Sequence, residues 1–317
     1  MRILITGGFG YIGGRLGNFL AGGQKHHLVL GSRQTRNLPA AITQGEVAQM
    51  HWDENESLER ACQGVAAVVH LAGMNAKASS DDPAAALEIN GLATARLLKA
   101  AIRQNVKRFI YLSTAHVYRR RLIGDITTAT NPSNLHPYAT SHRAGEDVVL
   151  AAHDRREIEG AVIRLSNAYG APTTKDVDCW TLLTNDLCRQ TINVRQMILR
   201  SSGLQRRDFV TLSNTCEAIE LLLKVPALRL GTGLFNVGGN WAPTILEMAQ
   251  RVAERASVTL GIRPRLESRA NGDAESDHRL KYDIRQIVDL GFVVADEKQI
   301  DRELDELLRF CAAQGAA

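Results

Sequence analysis

Short apolar runs alternate with segments of helical period along most of the chain. Ile3, Leu4 and Ile5 make the first run. Gly7, Gly8, Gly10 and Gly13 follow, while Ile12, Leu16 and Leu20 recur at helical spacing. That order predicts a strand, a glycine turn and a helix. Further strands are expected at 27–30 and 47–50, with a helix starting near Ser57. The run AAVVHL at 66–71 is apolar throughout, as in a strand buried on both faces. Asp82 and Pro83 suit the cap and first turn of a helix reaching about Ala101. A strand at 108–113, a helix at 138–153 introduced by Pro137, and a strand at 161–165 continue the alternation. Such steady alternation predicts an α/β fold with a parallel, doubly wound sheet.

The pattern changes after residue 165. Trp180, Leu183 and Leu187 lie at helical spacing in an expected helix at 176–190. Strands are expected at 193–199 and 209–212, and a helix at 214–224. Thr244 and Glu247 form a capping box for a helix running to about Arg255. Residues 1–165 are therefore expected to form a dinucleotide-binding domain. Residues 166–317 should build mainly a smaller C-terminal substrate-binding lobe, with segments near 205–240 returning to the first domain.

Composition narrows the class. With 317 residues and 44% hydrophobic content, the chain supports a large core. A net charge of +4 is mild, so neither a nucleic-acid surface nor a membrane patch is expected. The five cysteines are scattered and form no C-x-x-C pair, and the nine histidines show no zinc-like grouping. Reduced thiols in a cytoplasmic protein and no metal are the expectation. The first strand starts at residue 2, which leaves no room for a secretory signal, and no apolar run is long enough to span a bilayer.

Gly8, Gly10 and Gly13 keep the G-x-G-x-x-G spacing between a strand and a helix. The glycines permit the turn, the close approach of a pyrophosphate and the packing of helix on strand, and free helix amides face the phosphates. The ribose-recognition position lies about 20 residues further on, where NAD-specific folds carry a carboxylate. Here the chain reads Gly31, Ser32, Arg33, Gln34, Thr35, Arg36. No carboxylate is present to repel a 2′-phosphate, and Ser32 and Arg33 suit one, so NADP is favoured with NAD as the alternative. Asp53 is placed either to reach the adenine amino group or to cap the next helix. Ala72 and Gly73 are small enough for the chain to pass close under a cofactor. Ser113 and Thr114 end a strand at the ligand edge of the sheet, and Tyr138 and His142, four apart on a helix, share one face.

These motifs together resemble the extended short-chain dehydrogenase/reductase family of nucleotide-sugar epimerases, dehydratases and ketoreductases. TGGFGYIG at 6–13 is similar to the family's cofactor loop, which brings Gly7, Gly8, Phe9, Gly10, Tyr11, Ile12 and Gly13 to the cofactor. HLAG at 70–73 resembles the segment beneath the nicotinamide ribose and adds Leu71 to Ala72 and Gly73. Asn90, in EINGLATARLL, falls on the family's central helix. The resemblance implies that Thr114 is the catalytic hydroxyl and Tyr138 the catalytic tyrosine. RLSNAYG places Asn167, and RRDFV places Arg207, against the nucleotide-diphosphate sugar. Arg269 in RANGD matches a second diphosphate arginine. A homodimer is implied, with the helix at 138–153 pairing with 83–101 across a two-fold axis.

Two departures shape the expected chemistry. The family's lysine, four residues after the tyrosine, is His142 here. A lysine bonds the ribose and lowers the tyrosine from its reference value near ~10, whereas a histidine near ~6.5 is mostly neutral at pH 7. Family members that eliminate water carry an acidic pair after the Ser/Thr, where this chain has Ala115 and His116. Dehydration is therefore disfavoured. The expected activity is hydride transfer to a nucleotide-sugar carbonyl, a 4-ketosugar reductase. The alternatives are a 4-epimerase with tightly bound NAD, and a non-catalytic NAD(P)-binding scaffold or sensor that lost turnover with the lysine.

Overall fold

The computed structural model describes residues 1–23, 25–268 and 278–315. Seven parallel strands form its central sheet: β1 (Arg2–Thr6), β2 (His27–Ser32), β3 (Gly45–Gln49), β4 (Ala67–His70), β5 (Arg108–Thr114), β6 (Glu159–Leu165) and β7 (Leu234–Val237). Their spatial order is β7-β6-β5-β4-β1-β2-β3. The chain starts in the middle, winds out to β3, and then crosses to the other side of β1. The order reverses between β1 and β4, and ligands of such sheets bind in the crevice beyond that point. This is a Rossmann-like doubly wound sheet.

The apolar runs are explained by burial on both faces. Ile3 and Ile5 of β1 face one core, with Leu28, Leu30, Ile110 and Ile163. Leu16 and Leu20 of α1 (Tyr11–Gly22) close that core. Leu4 points the opposite way, with Val29, Val68, Phe109 and Tyr111, under Leu58 of α2 (Asn55–Cys62) and Leu97 of α3 (Ala93–Arg103). Val149 of α4 (Pro137–Asp154) completes that face. Each fully buried leucine or isoleucine contributes about 1.5–3 kcal/mol. A third core joins α5 (Leu183–Val194), α7 (Ile245–Leu260) and α8 (Glu297–Gly315) through Leu187, Met248, Val252 and Leu304, with α6 (Leu212–Lys224) lying against the main sheet. Three short parallel pairs lie outside the seven strands: Asn167–Tyr169 with Phe209–Thr211, Gln196–Leu199 with Arg265–Ser268, and Gly124–Ile126 with Leu280–Tyr282.

Several boundaries differ from the periodicity. The helix expected at 176–190 begins only at Leu183, and Trp180 stacks on Phe310 of α8 instead. Arg195 takes a left-handed conformation (φ 52°) that ends α5, so the following strand starts at Gln196 rather than 193. The strand expected at 209–212 ends at Thr211, whose hydroxyl caps α6 by accepting from the Asn214 amide, so Leu212 already belongs to the helix. The capping box of Thr244 and Glu247 is present, with both hydrogen bonds made. The stretch expected as one helix from 83 to 101 starts as Pro83–Ala86, widens into a π-turn at Leu87–Leu92 and continues as α3.

Candidate active site

The glycine loop owes its shape to steric necessity. Gly7 has φ +65°, and a Cβ there would sit 3.0 Å from the Ala72 amide nitrogen. A Cβ on Gly13 would lie 2.1 Å from the Gly7 carbonyl oxygen, so only glycine lets α1 start this close to β1. Gly10 is the N-cap of α1 and no side chain caps the helix, which leaves its first amides, from Tyr11 to Gly13, without a capping side chain. An uncapped helix start at the reversal point of the sheet fits a dinucleotide pyrophosphate. Tyr11 ties the loop to α5, donating to the Gly170 carbonyl (2.9 Å) and pairing with Asn185. Phe9 lies under the Arg36 guanidinium, 5.2 Å from ring centroid to carbon.

Past the ends of β2 and β3, a cleft of about 500 Å³ is lined by Arg33, Met50, Asp53, Glu88, Ile89 and Arg96 among others. Arg33 and Asp53 thus reach the same space. Ser32 does not share it freely. Its hydroxyl closes a turn, donating to the Gln34 carbonyl (2.7 Å) and accepting from the Gln34 amide (3.1 Å). Leu71 and Ala72 are fastened to β1 through their amides, which donate to the Thr6 hydroxyl. Gly73 runs over His142 and Asn90: a Cβ on it would stand 3.6 Å from the His142 Cε1 and 3.0 Å from the Asn90 Oδ1.

The structure brings Thr114, Tyr138 and His142 together. Tyr138 is on the first turn of α4, whose N-cap is His136, with its Nδ1 accepting from the Tyr138 amide (3.2 Å). Tyr138 and His142 meet edge to face, ring centroids 4.6 Å apart, as the four-residue spacing requires. The Tyr138 phenol comes beside the Thr114 hydroxyl at the end of β5. Burial raises the phenol's pKa above its usual value, and the neighbouring Thr114 hydroxyl opposes the rise. Burial also brings His142 down to about 4, so its imidazole is neutral at physiological pH and supplies no charge to the phenol. Asn90 sits in the π-turn, donating to the Ser141 hydroxyl (2.9 Å) and accepting from the Met74 amide (2.8 Å), which braces the Gly73 segment against α4.

Ser113 is not part of this cluster. Strand alternation puts it on the face of Phe109 and Tyr111, where its hydroxyl donates to Glu146 of α4 (2.5 Å). Glu146 is fully buried and pairs with Arg164 of β6 at 2.6 Å. Asn167 is held through its side-chain amide by the Asp208 carbonyl (2.8 Å). Arg207 directly precedes Asp208 in sequence, and its charge acts on His116: burial first, then the charges of Arg207 and His136, bring His116 down to about 4. The His116 amide is capped by the Thr114 hydroxyl (3.1 Å), so both sit at one mouth. Arg269 lies outside the described residues. Sequence reasoning missed His136, Tyr111, Arg36 and the Glu146–Arg164 pair. His136 directly before Pro137 was the available signal, since the residue ahead of a helix-starting proline is a capping position.

Among the described residues no group of side chains could hold a metal ion, and no helix is long and apolar enough to cross a membrane. The fold and the glycine loop define a dinucleotide-binding class of enzymes on a doubly wound sheet. Residues 3–238 match the NAD dependent epimerase/dehydratase family, and the chain belongs to it. Its relatives include a dTDP-glucose 4,6-dehydratase of Streptomyces niveus, 27% identical over 270 residues, covering 80% of this chain and 76% of that one. The fold is shared with MoeE5 in complex with UDP-glucuronic acid and NAD (24% identity, TM-score 0.79, 99% and 100% of the two chains). It is shared as well with RMD of Pseudomonas aeruginosa complexed with NADPH (22% identity, TM-score 0.79, 99% and 99%).

Proposed function

We propose that this protein is an NADP(H)-dependent reductase of a 4-keto nucleotide-diphosphate sugar. The observation that carries the reading is the neutral imidazole of His142 beside a Tyr138 phenol whose pKa is raised. A phenol that keeps its proton is an acid, and carbonyl reduction needs an acid. The nicotinamide cofactor, when bound, supplies the hydride. Tyr138 gives its proton to the ketone oxygen as that carbon is reduced to an alcohol. Thr114 holds the same oxygen, and His142 holds the cofactor ribose under Gly73. On this reading Asn167 and Arg207 would bind the nucleotide diphosphate, since a guanidinium suits phosphate oxygens. No carboxylate follows Thr114, since Ala115 and His116 occupy those positions, which disfavours dehydration.

The NADP preference rests on the end of β2. Arg33 lines the cleft that also holds Asp53, and Arg36 stacks on Phe9 of the glycine loop, so this reading takes both guanidinium groups as candidates for a 2′-phosphate. The expected result is that the purified protein releases NADP or nothing on denaturation, and that NADPH binds more tightly than NADH. Replacing Arg33 and Arg36 together by alanine should remove most of that preference, roughly 10²–10⁴-fold in Kd, one charge-assisted bond from each arginine. Stoichiometric NAD released from the protein would instead establish the second reading, a 4-epimerase that retains its cofactor. The MoeE5 complex with NAD favours that reading. Binding of NADPH without turnover on any ketosugar would leave the scaffold reading standing.

The protein is also read as a homodimer. The outer sides of α3 and α4 leave a groove of about 540 Å³, lined by Leu98, Ile102, Val148 and Ala151 and rimmed by Lys99 and Asp147. Light scattering should give twice the 34.7 kDa chain mass, and a monomer would refute the pairing.

A further inference from the structure

A buried chain of hydrogen bonds runs from the glycine strand to His142, and its proton positions can be assigned link by link. The Thr6 hydroxyl accepts from the Leu71 and Ala72 amides, so its own proton goes to the His70 Nδ1 (2.6 Å). His70 is neutral, because burial brings it down to about 3, and its proton is therefore on Nε2. The His70 Nε2–H donates to the Thr94 hydroxyl (3.0 Å), and Thr94 donates to the Asn90 carbonyl (2.7 Å). That carbonyl lies in the π-turn, where the widened helix turns it towards Tyr111. The Tyr111 phenol is 2.9 Å from the His142 Nδ1 and 3.3 Å from the Asn90 oxygen.

Tyr111 has one proton, with the His142 Nδ1 and the Asn90 oxygen within hydrogen-bond distance and the Thr94 hydroxyl, whose own proton is on the Asn90 oxygen, beside it. The Asn90 oxygen already receives the Thr94 proton at short range, and the distance to the imidazole nitrogen is the better one. The opposite assignment would place the proton on Nδ1 and force the phenol to donate along the longer contact. We propose that Tyr111 sets the tautomer of His142, donating into Nδ1 so that the imidazole presents an Nε2–H to the ribose hydroxyls of a bound cofactor. Nε2 makes no hydrogen bond with the described residues and lies below Gly73. The other end of the network is a backbone carbonyl, which gives up no proton. His142 is thus a fixed neutral donor, not a step in a proton relay. Gly145, one turn further along α4, makes room for the arrangement: a Cβ there would fall 2.5 Å from the Tyr111 oxygen and 2.6 Å from the Asn90 oxygen.

Tyr111 is on this account a positioning residue, and the inference rests on the reading of His142 as the ribose contact. Nitrogen-15 NMR of the cofactor-free protein reads the tautomer directly. In the wild type the His142 Nδ1 should show the shift of an unprotonated acceptor nitrogen and Nε2 that of a protonated one, unchanged from pH 6 to 9. In Tyr111→Phe, which keeps the ring and loses the donor, His142 should become a mixture of both tautomers, and the NADPH Kd should rise about 5–10-fold, the share of one neutral hydrogen bond. An Nδ1–H signal in the wild type, or a Tyr111→Phe spectrum identical to the wild type, overturns the proposal. The spectra need neither substrate nor turnover, so a protein with the assigned tautomer and no ketosugar reduction refutes only the reductase reading.

Discussion

Replacing Tyr138 by phenylalanine should lower kcat by about 10³-fold and leave NADPH affinity within a factor of about two. The size follows from general acid catalysis, which contributes roughly 10²–10⁴-fold when the group sits at the reacting oxygen. The phenol is the proton donor within reach of Thr114, and the ring of the variant still packs on His142, so binding survives while proton transfer does not. The pH dependence carries the sign. Tyr138 has its pKa raised, and it acts in the protonated form, so kcat should stay level from pH 6 to 9 and fall only as pH rises through the phenol's own value. His142, at about 4, adds no limb in that range. In the variant His142→Lys an ammonium would face the phenol and favour its charged form, so the alkaline limb should move to lower pH. A rate that already falls between pH 6 and 8 in the wild type would show that a protonated His142 is needed, against the neutral donor. Stability has its own pH term. The folded pKa of His142 and of His70 (about 3) lies below the unfolded value near ~6.5. The unfolded chain then binds more protons, and the stability present above pH 6.5 is lost as pH falls towards 4.

The parts of the site that were legible in the sequence are those fixed by local geometry. Gly7 to Gly13 follow a strand and open a helix, and the steric contacts at Gly7 and Gly13 explain why no other residue serves. Tyr138 and His142 were expected to share a face because four residues make about one helical turn. The parallel order of the strands followed from their alternation with helices. What stayed hidden depends on which residues of distant segments meet. Ser113 and Thr114 are neighbours in sequence, and the pleat of β5 sends them apart, Thr114 to Tyr138 and Ser113 to Glu146. Nothing local marks Arg164, which reads as part of a substrate turn, as the partner of Glu146. The π-turn at Leu87–Leu92 leaves the apolar pattern of its helix nearly intact, so periodicity alone gave one unbroken element. The Ser32 hydroxyl closes a turn with Gln34, and Arg36, four residues on, reaches the loop by stacking on Phe9, neither of which a local pattern shows.

Replacing Glu146 by leucine should destabilise the protein by about 3–5 kcal/mol, the cost of leaving a buried charge without its partner. The Glu146 carboxylate receives Arg164 through Nε (3.0 and 3.1 Å) and Nη2 (2.6 Å), together with the Ser113 hydroxyl. Arg164 is itself buried, its guanidinium 4.6 Å above the Tyr118 ring, and solvent does not reach it to replace the carboxylate. Urea unfolding should show the loss as a lower midpoint with an unchanged slope. The double variant Glu146→Leu with Arg164→Met should recover most of the stability, because two apolar side chains of similar volume need no compensation there. Activity should not recover with it. Glu146 lies one turn beyond His142 on α4 and holds that helix to β5 and β6, the strands that set Thr114 opposite Tyr138. Apolar contacts restore the burial without restoring the direction of four hydrogen bonds, and a catalytic pair displaced by as little as an ångström loses about 10²-fold. A double variant that is stable and fully active would show that the ion pair is dispensable for positioning; a stable and slow one assigns the pair to the rotational setting of α4, and through it to the geometry of the Tyr138 phenol.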